Sequence, residues 1–186
     1  MRTMTAARIT ALAAAALLIG CSSTDDAGRG GTAPGAAGKT VKVSLAPTQG
    51  RSVHGELTLA SAGTGVRITG KVDGLTPGSE HGFHIHEKGD CSAPDASSAG
   101  GHFNPASTPH GNPDGGAHHA GDIRNLVADG GGVANVDVIV EGVSIGGQND
   151  VLGRAVVVHE APDDYTSQPA GNSGTRIACG VIPASG

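Results

Sequence analysis

The stretch Val41-Lys42-Val43-Ser44-Leu45 decides the fold class, because its apolar residues alternate with polar ones. A period of two is typical of a β-strand with one buried face. The same pattern returns in Val66-Arg67-Ile68-Thr69. Further strands are predicted at short spacing, separated by Gly, Pro and Asp, over residues 53–60, 82–87, 132–140, 151–158 and 175–181. The sequence therefore predicts an all-β protein, an antiparallel sandwich or barrel.

The composition agrees with this prediction and excludes one class of function. The 186 residues include 32 Gly and 10 Pro but no Trp, which favours turns and short strands in one domain. The formal net charge is −5 and no Lys/Arg cluster is present. Because binding to a phosphate backbone needs a basic face, we expect no nucleic-acid partner.

The N-terminus has the layout of a signal peptide, predicted over residues 1–20. Arg2 and Arg8 precede an apolar run, Ile9–Ile19, of 11 residues, whereas a bilayer-spanning helix needs about 20. The segment Leu18-Ile19-Gly20-Cys21 resembles the lipobox of bacterial lipoproteins, which implies that Cys21 is the acylated mature N-terminus. The alternative is ordinary cleavage nearby, which discards Cys21 or leaves it unpaired.

Residues 21–38 are predicted to be a flexible, lipid-anchored linker, because they contain almost no large apolar side chain. The folded domain is predicted over residues 39–186. In this hypothesis the protein is extracytoplasmic, at the cell surface or in the periplasm, and contacts the membrane through its N-terminal lipid only.

The cysteines indicate an oxidising compartment. If Cys21 is acylated, Cys91 and Cys179 are left as an even pair, which predicts a disulfide outside the cytoplasm. Two free buried thiols are the alternative.

Histidines concentrate where the chemistry is expected. In Phe83-His84-Ile85-His86 the alternation sends both imidazoles to one face of a strand. A long aperiodic interval, residues 89–121, and the strand end at His159 add further candidate ligands. The loop candidates are His102, His110, His118, His119 and, just after the interval, Asp122. These side chains could serve two ions of copper or zinc; the alternative is that they are polar loop residues without a ligand role.

Five linked motifs then resemble those of copper-zinc superoxide dismutases, and the resemblance extends over residues 39–183. They are Gly82-Phe83-His84-Ile85-His86-Glu87, Gly101-His102-Phe103-Asn104-Pro105, His119-Ala120-Gly121-Asp122, Val157-Val158-His159-Glu160 and the segment 171–180, Gly-Asn-Ser-Gly-Thr-Arg-Ile-Ala-Cys-Gly. The resemblance implies an antiparallel Greek-key β-sandwich or flattened barrel with long metal-binding loops. It also implies an enzyme that converts superoxide to oxygen and hydrogen peroxide by copper redox cycling, which here would protect the cell envelope.

By position, the resemblance places the copper ligands at His84, His86, His102 and His159. It places the zinc ligands at His102, His110, His119 and Asp122. His102 would be an imidazolate that bridges both metals and takes up a proton during turnover.

Three further roles follow from the same resemblance. Arg176 would attract and orient the superoxide anion. Asp163 would link the imidazole of a copper ligand to that of a zinc ligand, although a shift of one residue would give that role to Asp164. The Cys91–Cys179 disulfide would hold the loop 89–101 close to Arg176.

Some features depart from the family or match nothing in it. His54, His81 and His118 fall on no ligand position, although His118 offers an alternative zinc alignment. Residues 160–175 contain no Lys or Arg, so the positive charge that guides superoxide must come from elsewhere, with Lys88 as one candidate. A homodimer is compatible with the resemblance, but the dimer surface differs between eukaryotic and bacterial members.

Two other functions compete with dismutation. One is a lipoprotein that stores or delivers copper or zinc without catalysis. The other is an inert sandwich used in adhesion, which would expose a large apolar patch. Both ligand sets and Arg176 are present together, which favours the enzyme.

Overall fold

The alternating segments form one curled antiparallel sheet in the computed structural model, which describes residues 38–185. Nine strands and a single turn of 3-10 helix, Ser97–Ala99, are present in this part of the chain. The strands are β1 (Thr40–Pro47), β2 (His54–Ala62), β3 (Gly65–Asp73), β4 (Glu80–His81), β5 (Phe83–His86), β6 (Leu126–Val127), β7 (Ala134–Glu141), β8 (Ala155–His159) and β9 (Arg176–Val181). The all-β prediction is confirmed.

Seven strands pair in the order β5-β8-β9-β1-β2-β3-β7, and β4 pairs with β6 in a small separate sheet. Strands β1, β2 and β3 follow one another as hairpins, and β9 returns to lie beside β1. This is the strand arrangement of a Greek key.

The core explains why the sheet curls. Apolar side chains from both ends of the strand order pack into one buried cluster, including Phe83 of β5 and Val156 of β8 at one end and Val136 and Val140 of β7 at the other. In β1, Val41, Val43 and Leu45 point into this cluster while the residues between them are exposed, as the alternation predicts. Full burial of each such side chain contributes about 1.5–3 kcal/mol.

Strands β5 and β8 differ from the others because every residue in them is buried. Phe83 and Ile85 of β5 face the main core, which turns His84 and His86 to the other face of the sheet. In β8, Ala155 and Val157 pack with Ala96 and Ala99 in a second apolar cluster. The outer face of this part of the sheet is therefore covered by the loops that carry the predicted ligands.

One predicted boundary was wrong, and two short strands were not predicted. Strand β8 begins at Ala155 rather than at residue 151, because Arg154 N donates to Val151 O (3.2 Å) and closes a turn in which Gly153 has φ 71°. Val151 is nevertheless fully buried, so its apolar character resembled that of a strand. The two-residue strands β4 and β6 are too short to produce a periodic pattern.

The predictions for residues 1–37, including the signal peptide and Cys21, lie outside the described residues. Within residues 38–185, no helix has the length and apolar character needed to cross a membrane.

Candidate metal centre

The segment between β5 and β6, residues 87–125, is called the metal loop below, and its backbone binds along the edge of β5. Ile85 N donates to Gly121 O (2.9 Å), and Phe103 N donates to Ile85 O (2.8 Å). These bonds place His102 beside His86 and Asp122 beside His84 as isolated bridge pairs. Gly121 is required at this point, because a Cβ there would collide with the carbonyl oxygen of Ile85.

One group of imidazoles, called the four-histidine cluster, collects ligands from three parts of the chain. The ligand atoms of its members lie within 4.8 Å of one another, and all four residues are buried: His84, His86, His102 and His159. The Nε2 atoms of His86 and His159 face each other at 3.3 Å. The cluster forms because β8 pairs with β5, which brings the end of β8 to the histidines of the neighbouring strand.

A second group, called the mixed cluster, adjoins the first and also shows ligand atoms within 4.8 Å of one another: His102, His110, His119 and Asp122. The carboxylate lies at its centre. Asp122 Oδ1 is 2.8 Å from His102 Nδ1 and 3.3 Å from His119 Nδ1. Asp122 Oδ2 is 3.0 Å from His110 Nδ1. His102 belongs to both clusters, with Nδ1 in the mixed cluster and Nε2 turned away from it.

The ring nitrogens that point away from the clusters have acceptor partners. His86 Nδ1 donates to Gly100 O (2.9 Å), and His159 Nδ1 to Gly174 O (3.2 Å). Because a carbonyl oxygen can only accept, these contacts place the proton on Nδ1 and leave Nε2 of each ring with a free lone pair.

Asp163 likewise accepts a hydrogen bond from the ring of one histidine in each cluster. His84 Nε2 donates to Asp163 Oδ2 (2.8 Å), and His110 Nε2 donates to Asp163 Oδ1 (2.9 Å). Asp163 is 3% exposed. Asp164 is exposed and bonds within its own loop, for example to Ser167, so the structure places Asp163 rather than Asp164 between the two clusters.

Two polar residues that hold these groups carry no signal in the local sequence. Asn125 Nδ2 donates to Asp163 O (3.0 Å), and Asp163 N donates to Asn125 Oδ1 (2.9 Å). Gln168 makes a similar pair of bonds with the backbone N and O of His110, each 2.9 Å long. No local motif identifies either side chain, because each acts on a residue about 40 or more positions away in the chain.

The unpaired ring nitrogens of the two clusters indicate that both can bind cations. Within residues 38–185, four buried ring nitrogens make no hydrogen bond: His84 Nδ1, His102 Nε2, His110 Nδ1 and His119 Nδ1. Two belong to each cluster. The last two lie 3.0 and 3.3 Å from the Asp122 carboxylate, but not in hydrogen-bond geometry. A buried acceptor without a partner costs about 1–3 kcal/mol, and a bound cation removes that cost. Four nitrogens suit copper, and three nitrogens with one carboxylate oxygen suit zinc.

Electrostatics keeps these groups in the form that binds metal. Burial lowers the pKa of His84 and of His86, and it lowers the pKa of His159 to about 4. Burial alone would raise the pKa of Asp122, but the hydrogen bonds from the His102 ring and the His119 backbone lower it well below its usual range. Neutral imidazoles beside an ionised carboxylate form a ready set of ligands.

Arg176 is held by the first part of the metal loop. Its Nη2 donates to Gly100 O (2.6 Å) and its Nη1 donates to Ala96 O. Gly100 O therefore receives bonds from both Arg176 and His86. The guanidinium and the four-histidine cluster are thus joined through one carbonyl group.

The predicted disulfide between Cys91 and Cys179 is confirmed. Cys179 packs in the second apolar cluster with Ala96 and Ala99, and Cys91 packs against that cluster. Because Cys179 lies in β9 together with Arg176, the disulfide ties the segment that binds the arginine to the strand that carries it.

The three unassigned histidines lie outside both clusters. His54 is exposed, and its Nδ1 contacts Ser52 O. His118 Nδ1 contacts His119 O (2.7 Å), and it is His119, not His118, whose ring joins the mixed cluster. His81 is buried, and its Nδ1 contacts the carbonyl oxygen of His159 (2.8 Å).

Comparison with known proteins gives consistent matches. A family model described as copper/zinc superoxide dismutase (SODC) matches residues 53–182. Superoxide dismutase (Cu-Zn) 2 of Aquifex aeolicus is 46% identical over 145 residues, which cover 74% of this chain and 83% of that protein. Superoxide dismutase (Cu-Zn) 2 of Mesembryanthemum crystallinum is 44% identical over 138 residues, which cover 70% of this chain and 87% of that protein.

Solved structures with the same fold include a SOD-like protein from Bacillus subtilis. It is 41% identical, covers 76% of this chain and 97% of its own, and superposes with a TM-score of 0.68. The clock protein EA4 is 36% identical and covers 80% of this chain and 96% of its own, with a TM-score of 0.71.

Proposed function

Because this chain belongs to the copper/zinc superoxide dismutase family, we propose that the four-histidine cluster holds its copper and that the mixed cluster holds its zinc. The chain is a superoxide dismutase, an oxidoreductase that acts on superoxide with copper and zinc as cofactors. The proposed copper ligands are His84, His86, His102 and His159. The proposed zinc ligands are His102, His110, His119 and Asp122.

The position of His102 carries this assignment. Its Nδ1 lies 2.8 Å from Asp122 in the mixed cluster, and its Nε2 is buried without a partner. A histidine with one ring nitrogen in each cluster can bridge two cations, which together favour loss of both ring protons.

When bound, copper would supply the redox chemistry, in which one superoxide is oxidised to oxygen and another is reduced to hydrogen peroxide; zinc has no redox chemistry and would fix the loop. Superoxide is an anion, and we assign its attraction and orientation to the Arg176 guanidinium. Reduction to peroxide needs protons, and His102 Nε2 is the site where we expect one to be held and passed on.

Asp163 is proposed to fix the orientation of His84 and His110 together. Its two oxygens each accept from a different ring. A rigid acceptor shared in this way keeps the copper and zinc ligands in register, because neither ring can turn without losing its bond to the carboxylate.

We also propose that the enzyme works outside the cytoplasm as a lipid-anchored protein of the cell envelope. The disulfide supports an oxidising compartment. The apolar run and Cys21 in the sequence support a signal peptide over residues 1–20 and a lipid-bearing linker over residues 21–38, ahead of the enzyme domain at residues 39–186. There the enzyme would remove extracytoplasmic superoxide.

The assignment is tested by the dismutation rate and the metal content of the full-length protein and of two variants. We expect about one copper and one zinc per chain and a fast rate that depends on copper. His159→Ala should lose copper and at least about 100-fold in rate while it keeps zinc. His119→Ala, the matched variant, should lose zinc preferentially.

Two results would contradict the proposal. A His159→Ala protein with unchanged copper and rate would remove His159 from the ligand set. Two bound metals with no turnover in the unsubstituted protein would favour metal storage or delivery instead.

A further inference from the structure

The turn between β1 and β2 carries an arginine that has no place in the proposed metal chemistry. Arg51 Nη1 donates to Glu160 Oε1 (2.7 Å), and Arg51 Nη2 donates to Glu160 Oε2 (3.0 Å). Arg51 Nη2 also donates to Thr175 Oγ1 (3.1 Å), which in turn donates to Glu160 Oε2 (2.7 Å). The three side chains form a closed group, called the Arg51 triad below.

The Arg51 triad lies next to the site along two stretches of chain. Glu160 follows the proposed copper ligand His159, and Thr175 precedes Arg176. The two stretches are joined directly, since Glu160 N donates to Thr175 O (2.8 Å). The side chains of Arg51 and Glu160 are 36% and 49% exposed, so both are in contact with solvent beside Arg176.

Arg51 and Arg176 also line one surface cleft together. The cleft has a volume of about 530 Å³, and Thr175 and Asp95 contribute to its walls. The guanidiniums of Arg51 and Arg176 and the carboxylate of Asp95 line this cleft. The carboxylate of Glu160 does not line it but is paired with Arg51, which brings the charged groups to four. Their sum is zero, and without Arg51 it would be −1.

This balance matters because the substrate is an anion and the protein repels anions. The whole chain has a formal charge of −5. Residues 160–175 contain Glu160, Asp163 and Asp164 but no Lys or Arg. Of the three carboxylates, Asp163 is buried between histidines and Asp164 is bonded within its own loop. Glu160 is the one that Arg51 neutralises.

We propose that Arg51 compensates the charge of Glu160 beside Arg176 and so keeps the approach to the site open to superoxide. The inference rests on the proposed function, because it takes Arg176 to be the group that receives the anion. A unit charge ~10 Å from the path of an anion in water changes its local concentration about twofold. The expected change in rate is therefore small, it should depend on salt concentration, and its direction is fixed by the sign of the charge that is removed.

A purely structural brace is the competing explanation, and it predicts different signs. If the Arg51 triad only stiffened the backbone near Arg176, Arg51→Ala and Glu160→Gln would both slow the enzyme. If charge matters, Arg51→Ala should slow it and Glu160→Gln should accelerate it.

The experiment measures kcat/KM for superoxide in the copper- and zinc-loaded full-length protein at low and high ionic strength. Arg51→Ala should be about twofold slower at low salt and Glu160→Gln about twofold faster, while the double variant should return close to the unsubstituted rate. Arg51→Lys, which keeps the charge, should restore most of the rate. All differences should disappear at high salt.

The affinity for a non-reacting anion is measured as well, because it does not depend on turnover. Azide, a small monoanion, is titrated into each copper-loaded variant and its affinity is read from the absorption spectrum. Arg51→Ala should weaken azide binding about twofold and Glu160→Gln should strengthen it by a similar factor.

Arg67→Ala is the matched control. Arg67 makes a two-point pair with Asp137 across β3 and β7 that is also exposed, somewhat more than the Arg51–Glu160 pair, and it does not line the cleft. Its loss changes the net charge by the same amount, so it should leave the rate near that of the unsubstituted protein.

Three outcomes would overturn the inference: equal rates for Arg51→Ala and Arg67→Ala, slowing by both Arg51→Ala and Glu160→Gln, or differences that persist at high salt. Absence of turnover in the unsubstituted, metal-loaded protein would instead refute the proposed function.

Discussion

The four adjacent strands β1, β2, β3 and β7, here called the strand quartet, and the metal loop are stabilised in opposite ways. The quartet buries alternate apolar side chains and is held by regular antiparallel pairing. The metal loop contributes only a few residues to the main core, such as Phe103 and Ile123. It is held instead by hydrogen bonds to β5, by buried polar clusters, by the Cys91–Cys179 disulfide and by the small second apolar cluster.

The difference shows which part of the molecule depends on cofactors. The strand quartet needs no cofactor for its packing, because burial of its apolar face requires no other component. The metal loop contains buried ring nitrogens without partners, and ions are needed to satisfy them. Stability in one region and metal binding in the other should therefore respond separately to perturbation.

Removal of both metals should give the largest effect and separate the two regions most clearly. We expect the melting temperature to fall by about 10 °C or more, because binding free energy is lost from the folded state only. Hydrogen exchange should accelerate at least about tenfold at amides of the metal loop such as Phe103 and Gly121, and much less in β1 to β3. Uniform acceleration across both regions would contradict the comparison.

Asp163→Asn should have the next largest effect. The amide still fills the space but can accept from only one ring through its oxygen, so either His84 or His110 loses its acceptor. Metal affinity and activity should fall about 10- to 100-fold, measured by competition with a chelator and by dismutation rate.

Asp164→Asn is the control for this change. Asp164 is the neighbouring carboxylate and contacts no histidine of the clusters. Equal losses of metal in the two variants would mean that the shared acceptor at Asp163 has no special role.

Arg176→Ala should have a smaller effect, one that lowers the catalytic rate without loss of metal from the loop. Both metals should stay bound while kcat/KM falls about tenfold, because the anion loses its fixed positive partner. Metal analysis and rate on the same sample check this. A variant with the full rate would refute the guiding role, and one that has lost copper would show that Arg176 supports the cluster through Gly100.

Leu57→Ala should have the smallest effect on the metal loop, although it destabilises the fold. Leu57 is 1% exposed in the main core, so the cavity should lower the free energy of unfolding by about 2–5 kcal/mol. Below the melting transition, copper and zinc content and rate should be unchanged. Loss of metal in the folded variant would show that the quartet and the loop are coupled more tightly than their contacts indicate.

The sequence anticipated much of the site because its motifs are local. His84 and His86 lie on one face of a strand by alternation alone. The spacing to Asp122 favoured His119 over His118, and His119 is the one whose ring lies in the mixed cluster. The boundary of β8 was less predictable, because Val151 is buried by packing although it lies in a turn. An apolar residue indicates burial whether it lies in a strand or in a turn.

The supporting contacts were beyond local patterns. Asn125 and Gln168 act on Asp163 and His110, and Gly100 O and Gly174 O act on imidazoles, through the folded chain only. A backbone carbonyl has no identity in a sequence, and a lone Asn or Gln carries no motif. Such partners become visible when the loop is docked on β5.

The sequence by itself determined the all-β class, the pair of cysteines and the set of candidate ligands, since each depends on residue type and short spacing. The family resemblance already placed His102 in both ligand sets. Only the tertiary structure decided how its Nδ1 reaches Asp122, that Asp163 rather than Asp164 joins the two clusters, and that Arg51 pairs with a carboxylate beside Arg176. These contacts join residues separated by 20 to 109 positions in the chain. Their geometry is set by strand pairing and loop docking, which no local pattern encodes.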